Sequence, residues 1–347
     1  MRVVFYISGH GFGHASRDVE LIKTIAAADR DVRFVARTMM PGWLFERARA
    51  SVDVQPLETD TGLIQIDSLR FDEQQTVVRA ADFYRTFDQR AEAEAAVLKE
   101  LGADLVVGDI PPLAFAAAER AGVKSFALGN FTWDWIYRTY PAFEDQAPEV
   151  IPTIQAAYAT ATRALRLPFH GGFEPMAAVT ADIPLIARRS HRDPTDTRRR
   201  LGITAGRPFV LASFGAYGAP LPYDAINATG QFTLINVEQR PPHGLEYQDL
   251  VAAADVVVSK PGYGIVSECI ANNTALLYTS RGNFIEYDLF VAEMPRVVRC
   301  RYISQEDLLA GRWADAISSL LAQPSPPERA RIDGAEVAAA QVLTAAR

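Results

Sequence analysis

Two of the five histidines in this chain fall close together in Ser8-Gly9-His10-Gly11-Phe12-Gly13-His14-Ala15-Ser16-Arg17, interleaved with glycines at every second position. The stretch follows the apolar run 3–7 and opens an amphipathic segment, so it reads as a strand-to-helix turn. Gly9, Gly11 and Gly13 allow positive φ and a close backbone approach, and the free N–H groups of the following helix favour an anion or polar ligand. A purely structural turn needs the glycines but not the imidazoles. His14 is the first candidate for a general base, because imidazole titrates near neutral pH and the glycine turn aims it into the cleft; His10 and Asp109 follow. The competing account is a histidine that donates one N–H to a carbonyl and locks the loop. A dinucleotide fingerprint wants glycine at the first, third and sixth positions, and the sixth here is His14, or Ser16 if counting starts at Gly11. A Walker loop fails as well, since no Gly-Lys-Ser or Gly-Lys-Thr follows.

The second half carries another strand–glycine turn–helix run, from Val256-Val257-Val258-Ser259 through Lys260-Pro261-Gly262-Tyr263-Gly264 to Ile265-Val266-Ser267-Glu268. Gly262 and Gly264 let the first helical N–H groups meet a diphosphate beside Tyr263 and Ser267, aided by the helix dipole. Glu268 lies one turn further in, where a carboxylate can accept two hydrogen bonds from vicinal ribose hydroxyls. A tight turn and a solvated helix face are the plain alternatives; the order and spacing together favour a nucleotide. The loop Thr279-Ser280-Arg281-Gly282-Asn283 leads towards Glu286 and offers Asn283 and Glu286 to a sugar, although Asn283 reads equally well as a helix N-cap. Gly215, after the run 209–213, repeats the strand-to-glycine turn. Arg188, Arg189 and Lys260 offer positive charge to a diphosphate.

Those residues need a scaffold that collects strand ends. Short β-branched runs at 3–8, 32–37, 52–57, 105–108 and 125–129 alternate with longer amphipathic stretches, the signature of a parallel sheet with helices on both faces. Gly171, Gly172, Pro175 and Pro184 break the pattern, which restarts at 209–213, 232–235, 256–259, 275–278 and 297–300. The economical reading is two similar α/β domains joined by a hinge: 1–168, then 180–330, with a terminal helix in 331–347. Ligands of open parallel sheets collect at the carboxyl ends of strands. Asp109, Asn130, Trp133 and Asp134 fall there in the first half. Asp134, flanked by Trp133 and Trp135, suits an acceptor sugar stacked on indole; a tryptophan-rich helix start packed in the core is the other reading. Two such rims facing each other make a cleft for a bipartite ligand.

With 347 residues the chain has room for two ordinary domains, and 49% hydrophobic with 22% charged residues describe a globular protein. A net charge of −7 gives no general attraction to nucleic acid or anionic lipid, so neither partner is expected. Apolar runs stop short of a membrane span, the chain opens directly on a core strand, and Cys269 and Cys300 make no disulfide framework; a cytoplasmic address is expected. No Asp, His and Cys cluster has metal spacing, so neither a metal nor another cofactor is expected.

Gly-His-Gly-Phe-Gly-His-Ala-Ser-Arg, Asp109-Ile110-Pro111-Pro112, Asn130-Phe131-Thr132-Trp133-Asp134, Pro184-Leu185-Ile186-Ala187-Arg188-Arg189 and Gly262-Tyr263-Gly264-Ile265-Val266-Ser267-Glu268 together resemble the glycosyltransferase-like N-terminal half of plant L-arabinokinases. More distantly the second-half pattern is similar to the bacterial peptidoglycan N-acetylglucosaminyltransferase. The resemblance implies a GT-B fold: two Rossmann-like domains with parallel sheets facing across a cleft, the nucleotide-sugar donor bound mainly by the C-terminal one and the acceptor by the N-terminal one. It also implies that the terminal helix crosses back to the first domain. The kinase half of the plant proteins has no counterpart here, so sugar phosphorylation is not implied. The expected activity is metal-independent transfer from a nucleotide diphosphate sugar, a UDP-sugar first, to a hydroxyl acceptor placed by Gly11, Phe12, Gly13, Asn130, Trp133 and Asp134. Two alternatives stand beside it, a nucleotide-sugar epimerase or hydrolase and a non-catalytic nucleotide-sugar sensor.

Overall fold

The computed structural model describes residues 1–203, 206–215, 218–236 and 241–346. They form two compact units. The first comprises Met1–Ile64, Asp72–Ile186 and Arg331–Arg347. Its seven strands are β1 (Arg2–Ile7), β2 (Arg33–Arg37), β3 (Val52–Gln55), β4 (Leu105–Asp109), β5 (Lys124–Gly129), β6 (Arg163–Arg166) and β7 (Thr180–Asp182). They pair in the order β3-β2-β1-β4-β5-β6-β7, all parallel, with Ile7 opposite Asp109. Residues 3–7 are wholly buried, as expected of a central parallel strand covered on both faces. The strand order reverses between β1 and β4, so the crevice at their carboxyl ends is a switch point where ligands bind.

The helix Phe12–Ala28 leaves β1 at that crevice. Its later turns bury Val19, Leu21, Ile22 and Ile25 at helical spacing, whereas its opening turns bury His14, Ser16, Arg17 and Asp18. Polar side chains thus take over the inward face where the helix starts. None of Gly9, Gly11 and Gly13 has the positive φ that the turn was expected to use. The chain instead runs extended into the helix, with Gly11 at φ 176° and open space where a Cβ would stand. The helix Gly334–Ala345 packs against Phe12–Ala28 and buries Ala335, Ala338, Ala339 and Val342.

Two strands went unforeseen. β6 and β7 extend the first sheet, so this unit runs on to Ile186 rather than stopping near 168, and Thr180–Asp182 pairs with β6 instead of opening the second domain. Four and three residues are too few for a period-2 pattern to stand out.

The second unit comprises Ala187–Ala330 and a segment from much earlier in the chain, Gln65–Phe71. Its strands β8 (Phe209–Ser213), β9 (Thr233–Asn236), β10 (Val256–Ser259), β11 (Ala275–Tyr278) and β12 (Cys300–Tyr302) pair in parallel as β12-β11-β10-β8-β9. Here the reversal lies between β8 and β10, where Ser213 stands opposite Ser259. The core joins Val210, Ala212, Val256, Val258, Leu277, Phe232 and Trp313. Leu69 belongs to the same cluster at 5% exposure. Its segment is a tight hairpin closed by the Gln65–Phe71 bridge, and the Ser68 hydroxyl donates to the carbonyl of Phe214. Burying one leucine in this way contributes about 2 kcal/mol.

Candidate functional site

At the switch point of the first unit, β1 and β4 bring together residues far apart in sequence. Asp109, the last residue of β4, is fully buried, and its Oδ1 lies 2.7 Å from Nδ1 of His14. Arg17, one helical turn beyond His14, grips the same carboxylate from the other side: Nε donates to Oδ2 at 2.5 Å and Nη2 donates to Oδ1. Arg17 Nη1 donates to Oδ1 of Asn130 at 2.9 Å. Although Arg17 Nη2 also lies 3.0 Å from His14 Nδ1, a carboxylate oxygen facing that nitrogen requires the proton on Nδ1. The tautomer assigned on this ground leaves the Nε2 lone pair to receive a proton. Burial alone would raise the Asp109 carboxyl, but Arg17 and His14 outweigh it and hold it at about 2. Asp18, buried beside this pair, is driven the other way by burial and by the charge of Asp109.

A loop after β3 braces the glycine turn. Asp60 accepts from the Ser8 hydroxyl at 3.0 Å and from Nε1–H of Trp133 at 2.9 Å, and Thr59 Oγ1 donates to the carbonyl of Ile7. Burial pushes the Asp60 carboxyl up to about 6, although the bonds from Ser8 and Trp133 and the nearby His14 pull it down. Leu63 N–H donates to His10 Nδ1 at 3.1 Å, and Gly62, at φ +53°, passes so close to the His10 ring that a Cβ would stand 2.6 Å from Nδ1.

In the second unit, Gly262 is the extended N-cap of the helix Tyr263–Asn272, with no side-chain cap, so its first N–H groups point out past a residue with no Cβ. Arg281 Nη1 lies 3.8 Å from where that Cβ would be and pairs with Glu286 at 3.3 Å. Burial pushes the Lys260 ammonium well below the usual lysine range; the charge of Arg281 adds to this, while Glu286 and Asp67 oppose it. Glu268, 3% exposed, takes an ion pair from Arg188, whose Nε donates at 2.6 Å. Gly215, at φ +69°, is the position after β8 that demands glycine.

No family model matches the chain. L-arabinokinase of Arabidopsis thaliana is 30% identical over 361 residues, covering 96% of this chain. The chain spans only 33% of that protein's length. Among solved structures, CalG4, the calicheamicin glycosyltransferase, superposes with a TM-score of 0.66 at 17% identity, covering 99% of this chain and 98% of its own. Phytolacca americana UGT2, complexed with UDP-2fluoro-glucose and pterostilbene, gives 0.58 at 13% identity, over 99% and 94% of the two chains. A protein described as a UDP-N-acetylglucosamine 2-epimerase from Listeria monocytogenes gives 0.57 at 12%, over 99% and 95%. The chain has the GT-B fold.

Within the GT-B units, several expected site residues gather and others turn out to be braces. His14 and Asp109 meet directly, with Asn130 one bond away through Arg17. Gly11, Phe12 and Gly13 stay half-exposed at the rim, Phe12 edge-on to Trp43. Trp133 and Asp134 do not offer an acceptor platform: both are fully buried, the indole bonded to Asp60 and the carboxylate holding Arg138 and Gln155. His10, used as an acceptor by a backbone amide and set edge-on to Trp133, takes the loop-locking role. In the second GT-B unit, Lys260 and Gly262 lead into the helix that Tyr263 and Gly264 open, with Ser267 donating back to the carbonyl of Gly264. Arg188 is drawn to Glu268, whereas its neighbour Arg189 is exposed. Asn283 is exposed and is not a cap, the helix Glu286–Glu293 starting instead after Ile285. Ala216 and Tyr217, which follow Gly215 in its turn, lie outside the described residues.

Sequence reasoning passed over Arg17 and Asp60. Arg17 carried a usable signal, its i+3 spacing from His14 on one helix face. Asp60 carried none, because its partners are Ser8 and Trp133, 52 and 73 residues away.

Proposed function

We propose that this chain is a glycosyltransferase that moves a sugar from a nucleoside diphosphate sugar, UDP-sugars first, to a hydroxyl acceptor, with His14 as general base. The His14–Asp109 pair at the switch point carries the reading. Asp109, held near 2, is too weak a base for the acceptor proton itself; it fixes the imidazole tautomer and stabilises the imidazolium once formed. The acceptor O–H proton passes to Nε2 of His14 while the acceptor oxygen bonds to the anomeric carbon. The bond from that carbon to the phosphate oxygen breaks, and its electron pair leaves with the diphosphate. Lys260, Arg281 and the main-chain N–H groups that open the helix Tyr263–Asn272 meet that charge, a task these fixed positive groups perform without a metal ion. Glu268, on the same helix and paired with Arg188, is the carboxylate we assign to the ribose hydroxyls. The GT-B neighbours support the donor class: one was solved with UDP-2fluoro-glucose.

The test is nucleoside diphosphate release from a panel of UDP- and dTDP-sugars, with and without hydroxyl acceptors and with EDTA. Acceptor-dependent release that EDTA spares, lost by about 100-fold or more in His14→Ala with donor binding intact, is the expected result. Full turnover in His14→Ala removes the base, and an unaltered donor with every acceptor removes the activity. A second reading, acceptor-independent epimerisation or hydrolysis, draws on the epimerase neighbour and is reported by turnover with no acceptor present.

A further inference from the structure

The hairpin Gln65–Phe71 does more in the second unit than fill a gap with Leu69. Its last residue, Phe71, faces Phe284 with ring centroids 5.5 Å apart, and the guanidinium of Arg281 lies over both rings, 5.3 Å from Phe71 and 4.2 Å from Phe284. The backbone closes the arrangement: Gly282, at φ +57°, runs so near the hairpin that a Cβ would stand 3.2 Å from the carbonyl oxygen of Leu69. Arg281 is 6% exposed, and two aromatic faces with the Glu286 carboxylate fix its plane. That plane sets one amino group beside Gly262, at the uncapped start of the helix Tyr263–Asn272. The guanidinium and the helix N-terminus are both positive; Glu286 pairs with the first, and Glu286 and Asp67 both face Lys260. An anion with more than one charged oxygen suits that corner.

We propose that Phe71 is a positioning residue for the donor: with Phe284 it clamps Arg281 so that the guanidinium meets the distal phosphate of a nucleoside diphosphate seated at Gly262. The proposal rests on the donor reading above and adds to it a residue from the opposite end of the chain, together with the arginine it holds. The clamp works through the ring face, since a desolvated cation is drawn to the negative face of an aromatic ring and an aliphatic side chain of similar bulk has no such face.

Calorimetric titration of the full chain with UDP, UMP and uridine tests it, using Phe71→Leu and Phe71→Trp. Phe71→Leu keeps an apolar contact with Phe284 and loses the π face; Phe71→Trp keeps the face. The expected result is that Phe71→Leu weakens UDP about tenfold, leaves UMP and uridine near wild type, and is rescued by Phe71→Trp. Arg281→Lys, which keeps the charge but not the planar fork, should lower the UDP-to-UMP preference in the same way. The proposal is overturned if Phe71→Leu binds UDP as the wild type does, if all three ligands weaken together, or if Phe71→Trp is as impaired as Phe71→Leu. A wild-type chain that takes up UMP but shows no preference for UDP overturns it as well. A wild-type chain that takes up no nucleoside at all fails at an earlier point and removes the donor reading together with this one.

Discussion

Asp109→Asn separates the charge of the buried carboxylate from its shape. In the wild type the carboxylate answers two donors, His14 and Arg17, and neither side chain is more than 8% exposed. Asparagine of the same size keeps one acceptor oxygen but turns the other into a donor that meets Arg17 head-on. The guanidinium then stays buried without its counter-charge, a situation that costs about 3–5 kcal/mol when one partner of a buried pair is removed. The same contacts hold the folded-state carboxyl at about 2 against 3.8, and a carboxyl depressed in this way contributes about 2 kcal/mol at neutral pH. Because the shift is downward, that part is present above pH 4 and is lost as the pH falls towards 2. Urea unfolding followed by tryptophan emission reports it, best in a Trp313→Phe background, where the remaining Trp43, Trp133 and Trp135 all lie in the first unit. Asp109→Asn should lower first-unit stability by about 3 kcal/mol or more at pH 7, and pairing it with Arg17→Met should recover over half of the loss. An Asp109→Asn chain within 1 kcal/mol of wild type, or a double variant as costly as the two singles combined, would falsify the buried-pair account.

Three further outcomes follow from neighbouring groups. Lys260→Met should leave melting unchanged or slightly higher, because burial already disfavours the ammonium, yet weaken UDP by tenfold or more in calorimetry; equal affinity would remove Lys260 from the diphosphate seat. Asp60, raised from 3.8 to about 6, favours the folded state when protonated, so its contribution fades by up to about 3 kcal/mol as the pH climbs from 4 to 6. In Asp60→Asn the Ser8 hydroxyl can turn to accept while Oδ1 keeps Trp133, so that slope should flatten; an unchanged pH profile of unfolding counts against the assignment. Gly62→Ala should cost about 2–3 kcal/mol, from the left-handed backbone and from the clash with His10, and His10→Ala in the same chain should return the steric share but not the backbone share. Differential scanning calorimetry of the single and double variants separates the two.

Most strands were legible because parallel strands buried on both faces must be continuous apolar runs, as at 3–7, 209–212 and 256–258. The paired polar signals at the ends of β1 and β10 were legible for a related reason: a core cannot use His14 or Lys260, so those residues stand out where a strand stops. What stayed hidden depends on long-range partners. Trp133 reads from sequence equally as a stacking surface or as a core side chain, and only Asp60 and the surrounding rings decide for the buried one. The strand-to-helix turn was readable, but the positive φ expected of its glycines is absent, because Gly11 in extended conformation already delivers the chain to the helix. The destination of Gln65–Phe71 could not be read at all, since seven ordinary loop residues with one leucine look the same whichever core receives them.

The interleaving of the two units has a practical meaning for anyone who recombines such proteins. Neither half is a contiguous stretch: the first borrows its closing helix from the C-terminal end, and the second borrows Leu69 from near the start. A chimaera joined at residues 186 and 187 alone would place a stranger's leucine, or none, in a hydrophobic slot shaped by its own lineage. Successful exchange has to move three blocks in concert for the first unit and two for the second, and natural shuffling of these halves meets the same requirement.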